Sequence, residues 1–595
     1  MSFLLELSGE GPRRAPATMK NPVHQSCQSV EVFTGKHSSS LETERCLILL
    51  NGDIHLIGNE RLIHETQFVE IDKAWRKWGE RCASHFTGEF SLAIWDKKLS
   101  FLYFARDHAG TQPLFWRRKG RSLFVASNIE FLVSIPGLST NLNETEIRRF
   151  LTDFGQAEAS SATMHKDILR LPPGCWMTFD GSSVSQKTYW APSDEGELEG
   201  EKLVEQAQEL LTEAVACRLQ PAGHSYATHF SGGLDSSAIA VLAQRQLQKK
   251  GYRFSAHCWN SEAQGELSKL SEHRRIRAIA EENGLRCKYL NLTPQDWAQA
   301  YETDVSLIPP SSIALETFCQ EQMEAQGVER VFSGWGGDQA ISFYGWGWPS
   351  ILLRTLQFQE LLALAGSESG QYSGPRYILN TLRFLWYQAL LPFLPDSLYK
   401  RWAPFPLEFP SRLKLLRPCF AQKVAPANAK VVYRKKPRPF LNQAQHFKLG
   451  SVAVRTEAWG ILGQKFGIRY SYPLLDRRLL EFVFRLPPSV YWTQRGKRAF
   501  FRSMIEPLLP LPVVWSRDEK YERDHAREMQ KLMEAGYRLA LKGFRAKESL
   551  YRANPWIDTS RLWEAAESLS MKSHPSDRAA IARALHILKV WEYHS

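Results

Sequence analysis

The sequence predicts an α/β protein of two parts: an antiparallel layered domain, then a doubly wound parallel-sheet domain with helical additions. Three observations predict it. From Cys46 to about Trp190, short alternating strands follow one another through tight turns, with few helical periods between them. From residue 203 onward, strand and helix alternate, and glycine stands at three helix ends. Between the two lies Ala191–Lys202 (APSDEGELEGEK), acidic, with Pro and Gly and a single aliphatic side chain, which is the composition of a linker. The domains are therefore read as 1–190 and 203–595.

A chain of 595 residues is longer than one core usually holds, so two domains are also the expectation from length. Hydrophobic residues make up 43% and charged residues 23%, ordinary values for a globular protein. The most apolar stretch, Phe384–Leu394, is about half the ~20 residues of a spanning helix and is broken by Pro392. Arg13 and Arg14 are not followed by an apolar run, so no signal peptide is read and a cytoplasmic location without membrane partners is expected. Nine cysteines without a C-x-x-C pair support neither a disulfide framework nor a zinc site. The net charge of +12 is spread in short clusters such as Tyr433–Arg438, with no nucleic-acid motif. That fits a solvated surface, or a groove for ATP or for a peptide bearing carboxylates.

Element by element, residues 1–45 are polar and weakly patterned and read as a loose lead-in. Residues 46–58 read as two short strands about an Asn51-Gly52 hairpin turn. Residues 89–107 alternate and turn at Asp96-Lys97-Lys98, and 121–134 adds a further strand. After the linker, an amphipathic helix buries Leu203, Ala207, Leu210, Leu211 and Val215 on one face. Strands follow at 224–230, 252–259, 286–292 and 328–334. They alternate with helices stopped by Gly251, Gly284 and Gly327. Such alternation gives a parallel sheet with right-handed crossovers. Residues 350–595 read as mostly helical and packed on that sheet.

The first of these strands runs into Ser231-Gly232-Gly233-Leu234-Asp235-Ser236-Ser237. Two glycines let the backbone turn tightly and aim N–H groups at an anion, and the helix that follows presents its positive end to the same place. Ser231, Ser236 and Ser237 add small hydroxyl donors. Asp235 would repel a phosphate unless a cation lay between them, which points to Mg²⁺. No G-x-x-x-x-G-K-[ST] is present, so this is not a Walker loop. The alternative is a glycine turn before an ordinary helix.

A second loop, Ser333-Gly334-Trp335-Gly336-Gly337-Asp338, follows the fourth predicted strand. Loops after parallel strands share one sheet edge, so Asp235 and Asp338 are placed to face one another across ATP phosphates with Mg²⁺ between them. Glu272, opening the helix after the second strand, orients substrate or merely complements the helix dipole.

The S-G-G-x-D-S form resembles the pyrophosphate loop (PP-loop) of ATP-pyrophosphatases, and with the second loop the chain resembles the asparagine synthetase-like family over residues 46–595. The resemblance includes Thr87–Asp96, Ala105-Arg106-Asp107, Gln112–Phe115 and Leu171-Pro172-Pro173-Gly174, which look like that family's glutamine amidotransferase domain. Tyr472–Arg478 resembles its Pro-Phe-Leu-Asp region. The resemblance implies an N-terminal Ntn-hydrolase-like αββα domain fused to an ATP-pyrophosphatase synthetase domain. ATP would be held by Ser231, Gly232, Gly233, Asp235, Ser236, Ser237, Ser333, Gly334 and Trp335, and Mg²⁺ by Asp235 and Asp338.

Glutamine-using members need a cysteine directly after the initiator methionine. Here Ser2 follows Met1 and the first cysteine is Cys27, so the resemblance implies a degenerate amidotransferase whose amine comes from the substrate itself. The loop Ser333–Asp338, with Trp515-Ser516-Arg517 and Lys520, looks most like the lasso peptide cyclases, apart from Gln339 where the family usually has Glu. The implied reaction adenylates an Asp or Glu side chain of a leaderless core peptide and joins it to the peptide's N-terminal amine. A precursor-processing peptidase is the implied pathway partner. The other readings are a β-lactam synthetase or an ammonia-using asparagine synthetase-like ligase, a non-catalytic ATP- or peptide-binding scaffold, and a nucleic-acid-modifying pyrophosphatase.

Fixed cations are needed where charge develops at phosphorus and carbon. Lys497 and Arg498 carry that role in the resemblance, with the choice between them open. Arg455 and Glu457 resemble residues lining the acceptor pocket. Trp335, Phe343, Tyr344, Trp346 and Trp348 wall a peptide cavity or pack the core. From the Ser2 observation, incubation with glutamine is expected to release no glutamate, and glutamate release in a coupled assay would reverse that expectation.

Overall fold

The computed structural model describes residues 3–7, 23–27, 30–34, 39–135, 141–152, 161–219, 224–248, 251–258, 271–299, 313–402, 414–423, 434–516, 520–569, 573 and 575–595. The N-terminal half is two stacked antiparallel sheets. One orders Leu169–Arg170, Phe115–Lys119, Ser122–Ala126, Phe3–Leu7, Val30–Thr34 and Val23–Cys27. The other orders Val184–Thr188, Cys175–Phe179, Phe101–Arg106, Phe86–Asp96, Cys46–Ile57 and Ser39–Glu42, with Glu60–Arg61 paired to Cys46–Ile57.

Period-2 alternation builds the layers. Along Cys46–Ile57, Leu47 and Leu49 point between the sheets to meet Leu5, Trp95, Phe104 and Val125. Ile48 and Leu50 point outward, under helix Gln67–Trp78 with its Ile71 and Trp75. The result is the αββα arrangement.

Two expectations fail here. Residues 1–45 are not a loose lead-in throughout: Phe3–Leu7 pairs with Ser122–Ala126 and with Val30–Thr34, and Leu4 and Leu5 are buried. The polar residues that follow it hid a five-residue strand that is apolar at four of its positions. Nor do Asn51 and Gly52 form a hairpin. Cys46–Ile57 runs through them in one strand, and Gly52, at φ 92°, passes so close to the Glu89 carbonyl that a side chain there would overlap it. The turn at Asp96 does form, between Phe86–Asp96 and Phe101–Arg106.

The C-terminal half carries helix α1 (Leu203–Ala216), β1 (Ser225–His229), α2 (Leu234–Gln248), β2 (Arg253–Cys258), α3 (Ser271–Asn283), β3 (Cys287–Tyr289), α4 (Ile313–Glu324) and β4 (Arg330–Phe332). A helical insertion containing α5 (Phe358–Ser369) and α6 (Pro375–Phe384) follows, then α7 (Ser451–Phe466) and β5 (Arg469–Ser471). All five strands are parallel, in the order β3-β2-β1-β4-β5. The fifth strand is three residues long and escapes periodicity analysis. The chain reverses direction across the sheet between β1 and β4, which is where open α/β sheets bind ligands.

Helix α7 belongs to both halves. Ala458 and Ile461 cover the first antiparallel sheet beside Phe124 and Leu132, while Val452 and Trp459 pack into the parallel-sheet core. The linker is pinned as well: Leu198 N–H donates to Arg485 O, and Arg438 pairs with Asp194 at 2.5 Å.

Buried charge crosses the same boundary. Arg218, 1% exposed, reaches Glu89 and Asp476, each at 2.9 Å. Glu89 also accepts from Tyr472 N–H at 2.6 Å. Burial works against ionisation of Asp476, but Arg218 and Arg478 outweigh it and hold the carboxyl below the usual range. A depressed pKa contributes stability that is complete above the unfolded value of ~3.9 and fades as pH falls through the folded one. Arg218→Met removes the ion pair of buried Glu89 and leaves Asp476 to Arg478 alone, and is expected to cost about 3–5 kcal/mol, read as a lowered urea midpoint. An unchanged midpoint would show that the two halves do not rely on this triad.

Candidate active site at the edge of the parallel sheet

The Ser231–Ser237 loop leaves the end of β1 and the Ser333–Asp338 loop leaves the end of β4, adjacent strands of the sheet. Their backbones touch. A Cβ on Gly334 would lie 2.6 Å from Ser236 N, and one on Gly337 would lie 2.6 Å from the Asp235 carboxylate. Gly336, at φ 99°, is pressed in the same way against Leu475 of the Tyr472–Arg478 segment. Glycine is therefore required by space in the second loop. In the first loop Gly232 supplies a positive φ of 71°.

This contact brings Asp235 and Asp338 to one cation. Arg498 pairs with Asp338, lies 4.0 Å from Asp235, donates to Ser342 at 3.2 Å and to the Tyr344 hydroxyl, and stacks 4.0 Å from the Tyr344 ring centre. Its backbone sits at φ 58°, left-handed for a non-glycine residue, as the residue before helix α8 (Ala499–Ile505). Such strain costs on the order of 1–2 kcal/mol and is held by the surrounding contacts. Burial, and then the Asp338 carboxylate, push Asp235 up to about 7 against the pull of Arg498.

Lys497 faces away from that pair. It binds Glu368 of α5 at 2.6 Å and lies 4.7 Å from the Trp492 ring. The two neighbouring cations thus occupy different places, Arg498 on the acids and Lys497 at the α5 wall.

The loops open on a cavity of about 620 Å³ walled by Ser231, Asp235, Ser333, Trp335, Asp338, Tyr344, Arg455, Trp459, Lys497, Arg498, Arg502 and Trp515 among others. Arg455 is stacked between Trp335 and Trp459, at 4.2 and 4.5 Å. Ser231 and Ser236 bond each other at 2.9 Å, and Ser333 accepts from Trp335 N–H at 3.1 Å.

Three expected residues are not on this wall. Glu457 does not line the acceptor pocket: it is buried against Arg106 at 3.0 Å and Arg170 at 3.2 Å, in the domain interface. Residues two apart on a helix point about 200° apart, so α7 sends Arg455 to the cavity and Glu457 to the other half. Ser237 is fully buried, and its Oγ has no hydrogen-bond partner. Gly232 shapes the turn behind the wall. Of the aromatic cluster, Trp335 and Tyr344 line the cavity, Trp346 stacks on Tyr344 at 5.5 Å, and Phe343 and Trp348 are core residues. The side chains of Glu272, Arg517 and Lys520 lie outside the described residues.

Sequence reasoning missed His229, Arg275 and Glu368, all on the wall. His229 is the last residue of β1, which is its one sequence signal. Its imidazole lies 3.6 Å from Glu316, burial keeping its pKa low. Glu368 comes from the helical insertion, far from any motif.

Among the described residues no three or more His, Cys, Asp or Glu gather as a metal cluster. Two carboxylates are nevertheless the set that Mg²⁺ takes when phosphates complete its shell, and Asp235 Oδ1 is buried without a hydrogen-bond partner. The residues fit that ion.

Fold and site together define a two-domain α/β protein with two glycine-rich loops in contact at the switch point of its sheet. An asparagine synthase family model matches residues 206–592, and a glutamine amidotransferase domain model matches residues 64–190. The chain belongs to the asparagine synthase family. It is 28% identical over 176 residues to asparagine synthetase [glutamine-hydrolyzing] 3 of Bacillus subtilis, covering 29% of this chain and 28% of the relative. Amidase chyE of Penicillium rubens is 27% identical, covering 55% of this chain and 53% of that protein. Amidase chry2 of Gibberella zeae is 24% identical, covering 72% and 67%. The chain spans about half or less of the first two relatives' own lengths. No helix among the described residues is long and apolar enough to cross a membrane.

A methyl group at Gly337 would push directly on Asp235. Gly337→Ala is expected to weaken ATP binding or turnover by about 10²-fold, the scale of a 1 Å misplacement, and to cost about 1–3 kcal/mol of stability from overpacking. Calorimetric titration with ATP checks it, and an unimpaired variant would mean that the loops can part without loss.

Proposed function

We propose that the chain is an ATP-dependent ligase that activates a carboxyl group as an acyl-adenylate and joins it to an amine, and more narrowly that it is a lasso peptide cyclase acting on a leaderless core peptide. The observation that carries the ligase reading is the convergence of Asp235, Asp338 and Arg498 on one end of a 620 Å³ cavity. Mg²⁺ held by Asp235 and Asp338 would neutralise the pyrophosphate as ATP is split between its α and β phosphates.

The chain's own residues supply the rest. N–H groups of the Ser231–Ser236 turn and the start of α2 cradle phosphate. Arg498 stays charged, so it stabilises the charge developing on the α-phosphate without exchanging a proton. Trp335, Trp459 and Trp515 exclude water from the adenylate, which otherwise hydrolyses. Lys497, steadied by Glu368, borders the same cavity from the α5 side, to stabilise charge at the carbonyl during aminolysis. A peptide α-amine has a pKa near 8 and is partly neutral at pH 7, so it attacks without a strong base.

The aromatic walls favour a peptide over free ammonia or a small amino acid. A β-lactam synthetase or an ammonia-using asparagine synthetase-like ligase keeps the same chemistry with a different acceptor. A non-catalytic scaffold would not need both acids. The core peptide would reach this chain from a precursor-processing peptidase of the same pathway.

Incubation with ATP, Mg²⁺ and candidate leaderless core peptides is expected to give AMP, pyrophosphate and a peptide lighter by one water. AMP release without that product would favour the other ligases. Asp235→Ala and Asp338→Ala are each expected to abolish AMP formation, as is removal of Mg²⁺ by a chelator. Undiminished AMP formation in either variant would remove that acid from the site.

A further inference from the structure

Helix α6 continues through Leu385–Leu390 and Leu391–Phe393 as one helical rod from residue 375 to 393. It packs beside α5 but turns an apolar stripe outward. Ile378, Leu379, Leu382, Leu390 and Phe393 are 61%, 49%, 58%, 44% and 43% exposed. Along α6 itself, Phe384 alone is buried. At the far end Trp386 meets the half-exposed Trp402 edge-on at 5.7 Å. Phe358 and Leu362 of α5 extend the apolar face. Exposed apolar side chains gathered along one helix in this way mark an interaction surface.

The charge around the stripe says what the partner is. Between Glu368 and Asp396 the only charged residues are Arg376 and Arg383. Tyr372, Tyr377, Tyr387 and Trp386 add side chains that are apolar with one polar tip. Along α6 and its continuation the apolar row carries arginines and interfacial aromatics and no acid, Glu360 of α5 lying to one side between Phe358 and Leu362, and this is the pattern of a helix lying in the plane of an anionic lipid surface. The rod is too short, and too interrupted by Pro392, to span.

We infer that the α5–α6 ridge docks the protein peripherally on an anionic membrane surface, replacing the expectation of no membrane contact. The ridge begins at the cavity rim, where Ser367, Glu368 and Gln371 line the wall. Docking therefore brings the cavity mouth close to the lipid headgroups. The inference is independent of the ligase reading, since lipid binding is measured without substrate.

The test is cosedimentation of the full-length protein with vesicles of phosphatidylglycerol mixed with phosphatidylcholine, and with phosphatidylcholine alone. The wild type is expected to pellet with the anionic vesicles and to be released by salt. Ile378→Asp combined with Leu382→Asp is expected to lower partition by roughly tenfold or more, at an unchanged melting temperature because both side chains are exposed. Arg376→Gln with Arg383→Gln is expected to lose the preference for anionic lipid. No sedimentation of the wild type, or equal sedimentation of the aspartate variant, overturns the inference. So does light scattering that shows a wild-type dimer dissociated by the same aspartate pair, because the ridge would then belong to a second copy.

Discussion

Everything at the candidate site depends on two backbone turns lying closer together than side chains would allow. Gly334 and Gly337 set the second turn directly on the first, and this contact holds Asp235 and Asp338 within reach of one guanidinium. Like charges so placed are unfavourable alone, and the buried member is driven toward its neutral form. Arg498 answers both acids, in a backbone conformation that an arginine does not adopt unaided. Such stored electrostatic and conformational strain is characteristic of sites built to receive a ligand rather than to maximise stability.

The second constraint is the seam between the halves. Asp107 closes a turn by accepting from Ala109, Thr111 and Gln112 N–H groups and from the Thr111 hydroxyl. Arg106 spends its donors on Gln112, Gly110 and Leu171 carbonyls and on Glu457. Asp53 is shared by Arg330 of β4 and Arg469 of β5. Nearly every buried charge along the seam is matched, as burial requires. The motifs that resemble an amidotransferase thus serve here, at least in part, to fix one half on the other.

The parallel sheet was legible because its strands and helices each carry a full period, with glycine stops. The double loop was legible because only glycine and small polar residues tolerate turns so tight and so close to one another. What escaped had weak local signals. Phe3–Leu7 and Arg469–Ser471 are short and gain order from partners distant in sequence. Asn51-Gly52 carries a turn signature, but its glycine is needed for a close crossing inside a strand. Glu457 lies in the interface because a residue two positions from Arg455 on α7 belongs to the opposite face. Glu368 entered the cavity wall through tertiary placement alone, and His229 through its place at the end of β1.

Helix α7 also has an evolutionary implication. One side of it seals an antiparallel sheet, the other seals the ligand cavity, and neither surface can drift without disturbing its neighbour. A gene that shed the first half would expose the greasy flank around Ala458 and Ile461 and lose the anchor of Glu457. The N-terminal layers thus act as ballast for the C-terminal ones, a mechanical duty independent of any chemistry of their own.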